Sequence, residues 1–520
     1  MKADKQEYFL SIDNGTQSIR ALVFDRDGQL VAKNKVDIVP YTSPHAGWAE
    51  QDADYFWSSL CEACQGLWLK LGFPKDEIVA VSVTTQRGTV VAMDKHNRPI
   101  GPAISWLDQR RVETKPALGS LESMIMRVIG AKDAVDNFHR EAEANWLAQN
   151  LPEQWQKVEK YLLLSGYHTY KLTGNYRDSI ASQVGYVPFD FRNLEWANDK
   201  DWSWRAAPIK RGMLPELHAA GEHLGRISQR ASNETGIPCG VPLISSGSDK
   251  ACEVLGSGCL DPSVGSLSYG TTATFNVTTD KYFEAIPFIP AFPGVIPETY
   301  NVEMMVFRGY WMVKWFKQEF GLHEQQEADK QGVSPESLFD DLLRAVPVGS
   351  MGLMLQPYWS PLHSTGPEAK GAIIGFGDVH KRAHIYRAMI EGLTYALREG
   401  KELLEKRGKR NLTRLKVSGG GSQSDEIMQI TADVFGMKVE RPHTYETSGL
   451  GAAIAAAVGV GSHSSFKTAV EEMTHAGDSF EPNSANHLIY DELYRNVYLK
   501  MYGSLQPSYE TIRSITGYPS

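Results

Sequence analysis

Two glycine–threonine turns, a serine-flanked aspartate and a triple glycine are spaced along this chain, and each brings groups that phosphoryl transfer needs. That reaction asks for backbone N–H groups and hydroxyls to hold phosphates, a metal ion to offset charge, and a base beside the attacking hydroxyl. The first segment is Asp13-Asn14-Gly15-Thr16-Gln17-Ser18-Ile19-Arg20. Its glycine lets backbone approach an oxyanion closely, Thr16 and Ser18 add hydroxyl donors, and Asp13 at a strand end can hold Mg2+ through water. An ordinary hairpin turn has the same look, because Asn-Gly is a favoured turn pair.

Gly270-Thr271-Thr272, with Ser268 just before it, repeats this chemistry. A phosphate clamp needs donors from both sides of a cleft, so two such turns weigh more than one. A third segment runs from Ser245 to Cys252, where a strand over Val241 to Ile244 ends and a helix begins. Asp249 falls at or near that helix N-terminus. Aspartate is common there as an N-cap. It would serve equally as a catalytic base, since the helix dipole favours the ionised carboxylate. The fourth segment, Val417 to Ser424, sets three glycines between a strand and an amphipathic helix over Asp425 to Phe435, a place suited to close contact with a nucleotide. It is not a Walker A sequence, for no Gly-Lys-Ser/Thr follows at the required spacing.

One further stretch suits an acceptor rich in hydroxyls. Thr84-Thr85-Gln86-Arg87-Gly88 follows a strand, and Ser105-Trp106-Leu107-Asp108-Gln109-Arg110-Arg111 comes about twenty residues later. Amide, guanidinium and carboxylate groups offer donors and acceptors to sugar hydroxyls, and Trp106 offers a face for stacking. A structural Asp–Arg pair in a surface loop is the competing reading for Arg110 and Arg111.

These segments need elements to position them. Tyr8 to Ile12 and Ile19 to Phe24 read as strands of a hairpin, with residues 13–18 as the turn and a third strand over Gln29 to Lys33. A helix opened by Gln51-Asp52-Ala53-Asp54 runs through Leu71, and a strand follows over Ile78 to Thr84. The alternation of strands and helices continues, which points to α/β architecture. The Gly270 turn sits between strands at Ser266–Tyr269 and Ala273–Val277, the context of the Gly15 turn. This weak duplication predicts two related domains facing a common cleft, with the boundary near Leu260-Asp261-Pro262, giving 1–261 and 262–520.

Composition narrows the partners. The 520 residues are 42% hydrophobic, enough for globular domains. A net charge of −9 disfavours nucleic acid and anionic membrane surfaces. The five cysteines are odd in number, which favours a reducing compartment over a disulfide framework, hence the cytoplasm. Cys61 and Cys64 form a C-x-x-C, but on a pattern of helical period that reads as core. The polar start lacks the apolar run of a signal peptide. Gly449 to Gly461 is too short to span a bilayer and reads as a buried helix packed through small residues.

Taken in order, the motifs resemble the FGGY family of carbohydrate kinases, within the actin/hexokinase/Hsp70-like ATPase superfamily. The similarity covers roughly Tyr8 to Gly461: Asp13–Arg20, the W-x-D-x-R at Trp106–Arg110, the G-S-D ending at Asp249, Tyr269–Thr272 and Ser418–Ser422. Gly371–Phe376 with the helix through Glu391-Gly392-Leu393 resembles the family's second signature. The resemblance implies two ribonuclease-H-like domains flanking a central cleft, the first binding sugar and the second nucleotide. It implies transfer of the γ-phosphoryl group of ATP, with Mg2+, to a pentulose such as xylulose or ribulose, or to glycerol or another polyol. Asp249 would be the general base and Asp13 would lie near Mg2+. Thr16, Gly270 and Thr271 would approach the phosphates, with Gln17, Ser18 and Arg20 also on the ATP side. Gly420, Gly421 and Gln423 would lie along the adenosine, and Gln86, Arg87, Asp108 and Asp249 would face the sugar.

Two departures bear on the acceptor. Glu143 stands where many members carry lysine, and Gln86-Arg87-Gly88 matches neither the Gln-Met-His of xylulose kinases nor the Gln-Arg-Glu of glycerol kinases. A non-catalytic sugar sensor on the same fold is the rival expectation. Such regulators append a DNA-binding helix-turn-helix, for which the seven residues before the first strand leave no room, and the retained G-S-D argues against a dead enzyme. Oligomeric state stays open, a homodimer included.

Overall fold

The computed structural model describes residues 6–112, 124, 126–128, 132–333, 335–360 and 365–518. Its first sheet grows from β1 (Tyr8–Asn14), in which every residue is buried. β1 pairs antiparallel with β2 (Ser18–Asp25), which pairs antiparallel with β3 (Leu30–Asp37). The hairpin is tighter than the sequence suggests: both strands continue to the turn, which is confined to residues 15–17. Helix α1 (Ala53–Trp68) is capped by Asp52, whose side chain accepts from the Asp54 N–H. Its residues Phe56, Leu60, Ala63, Cys64 and Leu67 recur at helical spacing and pack with Leu10 and Ile12 of β1. Cys61 and Cys64 belong to this packed face, and burial pushes the Cys61 thiol up to about 12. Strand β4 (Ile78–Thr85) runs parallel to β1, β5 (His223–Arg226) and β6 (Pro242–Ile244) follow, and the sheet order is β5-β6-β4-β1-β2-β3. Helix α2 (Asp249–Gly256) comes directly after β6.

The second sheet repeats the plan. β7 (Val264–Tyr269), β8 (Ala273–Thr279), the short β9 (Phe292–Pro293) and β10 (Tyr300–Val306) form an antiparallel set. Helices α3 (Gly309–Phe320) and α4 (Arg382–Gly408) follow. β11 (Arg414–Ser418) lies parallel to β7, and helix α5 (Asp425–Phe435) leads to β12 (Val439–Pro442), parallel to β11. After helices α6 (Thr447–Gly459) and α7 (Phe466–Met473), β13 (Ala476–Phe480) closes the edge, and the order is β9-β10-β8-β7-β11-β12-β13. Both sheets thus carry an antiparallel trio joined to two parallel strands and an antiparallel edge. The Gly15 and Gly270 turns join the first two strands of each trio.

A third sheet of four short strands, Glu50–Gln51, Ala103–Ile104, Val90–Asp94 and Val158–Leu163, is inserted beside the first. Its Val90 pairs with Ile104, which brings Gln86-Arg87-Gly88 and Trp106–Arg110 to one end of that sheet.

Helix α6 lies late in the chain yet packs on the first sheet. Leu450 and Ile454 share a buried cluster with Phe9, Leu22, Phe24 and Ala80. Its small residues allow a close crossing with α2. A Cβ on Gly256 would overlap the Thr447 carbonyl oxygen, and one on Gly451 would overlap the Cys252 carbonyl oxygen. Backbone therefore meets backbone where the two helices cross. Gly451→Val is expected to destabilise the protein by about 1–3 kcal/mol through overpacking, read as a lower urea midpoint at constant m-value. An unchanged midpoint would show that the crossing tolerates a side chain.

Candidate active site

Asp249 is the first residue of α2, and the cap of that helix is Ser248, whose hydroxyl accepts from the Ala251 N–H. The sequence reading of Asp249 as an N-cap is thereby corrected by one position, which leaves its carboxylate less committed. That carboxylate accepts from the Lys250 N–H at 2.8 Å. Burial raises its pKa, while the Lys250 and Arg87 cations pull it back down. The surrounding backbone is laced tightly. Thr84 Oγ1 donates to the Gly247 carbonyl at 2.8 Å, Ser246 Oγ donates to the Val83 carbonyl at 2.7 Å, and Thr85 bridges to Ser248. These bonds hold the end of β4, and with it Gln86 and Arg87, beside the start of α2.

Lys250 and Glu253 stand one turn apart on α2, and sequence reasoning singled out neither. Glu253 is buried and accepts from Lys250 Nζ at 2.7 Å, from Ser268 Oγ at 2.7 Å and from Ser418 Oγ at 2.8 Å. Lys250 Nζ also donates to Ser268 Oγ at 3.0 Å. Burial works against the ammonium, but Glu253 and Asp249 hold its pKa above the usual lysine value. The signal in the sequence is the i, i+3 spacing of opposite charges on a short helix.

Asp13 and Arg20 face each other across the first hairpin, with their charged groups 2.8 Å apart. Arg20 also donates to Glu446 at 2.7 Å, and Lys33 pairs with the same glutamate. No hydrogen bond of good geometry reaches either Asp13 oxygen among the described residues. Burial raises its pKa from 3.8 to about 6, against the pull of Arg20. A buried carboxylate short of partners fits a cation that keeps its waters and is carried by phosphates, as Mg2+ is. Thr16 is half-buried in the turn, Ser18 is buried, and Gln17 is exposed.

The second turn is seated on α3. The Gly270 carbonyl accepts from the Tyr310 N–H at 3.0 Å and the Thr271 carbonyl from the Trp311 N–H at 3.3 Å. Beside it the triple glycine turns sharply. Gly419 has φ +81° and lies against the Tyr269 backbone, where a Cβ would be 2.7 Å from the carbonyl carbon. A Cβ on Gly421 would overlap the Tyr310 ring, whereas Gly420 faces open space. Ser424 caps α5 and donates to Asp340 at 2.6 Å, while Gln423 is exposed. The glycines thus let the loop pass close to Tyr269 and Tyr310 and leave one stretch of backbone uncovered.

Just past the end of β4, both amide atoms of Gln86 are buried without a partner among the described residues. Arg87 donates to Glu303 of β10 at 2.8 Å and lies 5.1 Å from the centre of the Phe292 ring. Gly88 has φ +62° with Trp106 against its Cα, which explains a glycine at this place. Trp106, expected as a stacking face, donates its indole N–H to Thr16 Oγ1 at 3.1 Å. Asp108 is engaged by structure: its oxygens accept from the Ala49 N–H at 2.6 Å and from Arg110 Nη2 at 2.7 Å and Nε at 2.8 Å. Arg110 lies between the Trp48 and Trp146 rings and also pairs with Glu50. The structural Asp–Arg pair is therefore what this segment forms. The structure gathers Asp13, Gln86, Arg87, Asp249, Gly270 and the triple glycine onto adjoining strand ends and turns, whereas Asp108 is bound to Arg110 and the Ala49 N–H. The late signature packs the core: Glu391 accepts from the Gly349 N–H, Ser350, Arg387 and Tyr490.

Residues 8–256 match the N-terminal domain of the FGGY family of carbohydrate kinases, and residues 265–460 match its C-terminal domain. A relative described as an uncharacterized sugar kinase, YgcE, of Escherichia coli (strain K12) is 30% identical over 498 residues, 95% of this chain and 93% of that protein. Xylulose kinase of Lactococcus lactis subsp. lactis (strain IL1403) is 27% identical over 492 residues, 94% of this chain and 95% of that protein. The crystal structure of gluconate kinase from Lactobacillus acidophilus has the same fold, with a TM-score of 0.81 over 97% of this chain and 99% of that one at 19% identity. Among the described residues, no helix is long and apolar enough to cross a membrane.

The Asp13 carboxylate has a stability consequence. Its folded-state pKa of about 6 lies above the ordinary 3.8, so its favourable contribution is complete below the ordinary value and is lost as pH rises through about 6. Asp13→Asn removes that cost. In thermal melts without nucleotide or metal it is expected to gain about 1–3 kcal/mol at pH 8 and less at pH 5. A variant less stable than the parent at pH 8 would overturn this account.

Proposed function

The chain belongs to the FGGY family of carbohydrate kinases, phosphotransferases with an alcohol acceptor, and we propose that it moves the γ-phosphoryl group of ATP to a hydroxyl of a small sugar or polyol, with Asp249 as general base. It shares the family's α/β fold of two ribonuclease-H-like halves, as in the actin/hexokinase-like ATPases. The observation that carries the assignment of the base is the free carboxylate of Asp249 at the start of α2, flanked by Arg87 and Lys250. The α2 dipole and these two cations favour its ionised form and offset part of the cost of burial.

In this reading the acceptor hydroxyl gives its proton to Asp249 as its oxygen bonds to the γ-phosphorus, and the bond to the ADP oxygen breaks. The backbone at Gly15 and Gly270, with the hydroxyls of Thr16 and Thr271, approaches the phosphates; Gln17, Ser18 and Arg20 stand on the same side. Gly420, Gly421 and Gln423 border the adenosine. Asp13 would hold Mg2+ through water, and that ion, when bound, offsets phosphate charge. Gln86 and Arg87 read the acceptor, with Asp108 and its partner Arg110 on a neighbouring segment. Residues 1–261 form the sugar side and 262–520 the nucleotide side, with α6 crossing back. The relative named xylulose kinase supports a pentulose such as xylulose or ribulose, and glycerol or another polyol fits the same groups. The five cysteines are free thiols, which suits a cytoplasmic enzyme.

The test is ADP production from ATP and Mg2+ across ketopentoses, pentitols, glycerol and tetritols. Asp249→Ala is expected to lower kcat by about 10²- to 10⁴-fold while ATP binding persists. Wild-type turnover in that variant would remove Asp249 from its role. The base must be deprotonated to act, so activity falls as pH drops through its pKa. Lys250→Met removes a cation that lowers that pKa, and the acid limb of the kcat/KM profile is expected to move to higher pH. A limb that stays in place or moves to lower pH would contradict the electrostatic coupling.

A further inference from the structure

Arg87 and Glu303 meet between two sheets. Arg87 follows β4 of the first sheet, Glu303 lies on β10 of the second, and their charged groups are 2.8 Å apart. The Glu303 side chain is 2% exposed, and its second oxygen, Oε2, is buried with no partner among the described residues. Glu303 sits opposite Asn276 in the β8–β10 register. Stability does not account for this arrangement. A buried ion pair commonly does no better than apolar residues of the same volume, and an unsatisfied buried acceptor costs free energy. Gln86, adjoining Arg87, leaves both amide atoms buried and unpartnered as well. Three polar atoms without partners at one end of the site mark a place where a polar ligand completes the hydrogen bonding.

We propose that Glu303 is a specificity-determining residue of the acceptor site and that it selects neutral polyols and ketoses over sugar acids. This rests on the kinase reading above. Gly88 provides no side chain here, and the carboxylate comes instead from the facing sheet. Glu303 Oε2 accepts from one acceptor hydroxyl, while Arg87 and Gln86 donate to its neighbour. Charge supplies the discrimination. The two cations flanking Asp249 are each matched to a buried glutamate, Arg87 to Glu303 and Lys250 to Glu253. An acceptor carboxylate placed there would meet Asp249, Glu253 and Glu303 with both cations already paired. Unpaired like charge of this kind is how a site rejects a competitor.

The experiment compares wild type, Glu303→Gln and Glu303→Asp in steady-state turnover of D-xylulose, D-ribulose, xylitol, glycerol and D-gluconate. Wild type is expected to prefer a neutral acceptor. Glu303→Gln keeps the side-chain shape, and it is expected to lower kcat/KM for that acceptor about tenfold or more, chiefly through KM. The KM for ATP should stay within about twofold, and the preference over gluconate should shrink about tenfold, with Glu303→Asp intermediate. Calorimetric binding of the same compounds beside a non-hydrolysable ATP analogue gives a readout that needs no turnover. If no compound is phosphorylated the kinase reading fails, and loss of neutral-acceptor binding in Glu303→Gln still decides the present inference. Neutral-acceptor kcat/KM and binding within about twofold of wild type in a folded Glu303→Gln, or a wild-type preference for gluconate, would overturn it.

Discussion

The candidate site is organised around one buried carboxylate, that of Glu253. Glu253 accepts from groups on three segments: Lys250 on its own helix, Ser268 at the end of β7 and Ser418 at the end of β11. Those are the segments that lead into Asp249, the second glycine turn and the triple glycine. In a low-dielectric interior such bonds are strong, and each becomes costly if left unmade. The glutamate therefore holds three loops in register, and it fixes the ammonium of Lys250 beside Asp249. Asp13, Arg20, Glu446 and Lys33 form a second network that ties the first hairpin to the start of α6. Two buried ion pairs, Arg87–Glu303 and Lys250–Glu253, stand where the two sheets approach.

The sheets earn that arrangement by alternation. In β7, β8 and β10, Leu267, Phe275, Val277 and Val302 join the second core, while Ser266, Ser268, Thr274, Asn276 and Glu303 fall on the other face. The same period places Asp13 on the β1 face opposite to Ile12 and Leu10. Duplicated topology puts a glycine turn at corresponding positions, and the two turns are anchored differently. One carries the Asp13–Arg20–Glu446 charges, and the other is held by backbone bonds to the first turn of α3.

What was legible in the sequence was local. Helix α5 begins and ends where its pattern indicates, and the strands around both turns lie where their apolar runs fall. Glycine motifs were legible because close approach and positive φ leave few alternatives, as at Gly419. The partners of charged groups were not. Arg87 meets Glu303 across 216 positions and Arg20 meets Glu446 across 426, and no spacing rule connects such residues. Asp108 shows the converse difficulty. An aspartate beside tryptophan and arginine has the composition of a sugar site, but its neighbour Arg110, packed against two indoles, takes the carboxylate.

The placement of α6 has a consequence for how the protein is made. Phe9, Leu22, Phe24 and Ala80 are covered by a helix that begins at Thr447. A ribosome adds about 5–20 residues per second. The early sheet therefore waits on the order of tens of seconds, with one apolar face uncovered, before its last layer is synthesised. During that interval the nascent chain presents apolar surface on which it can associate with other chains. A truncated product that stops before α6 presents the same face permanently, which makes such fragments prone to aggregate.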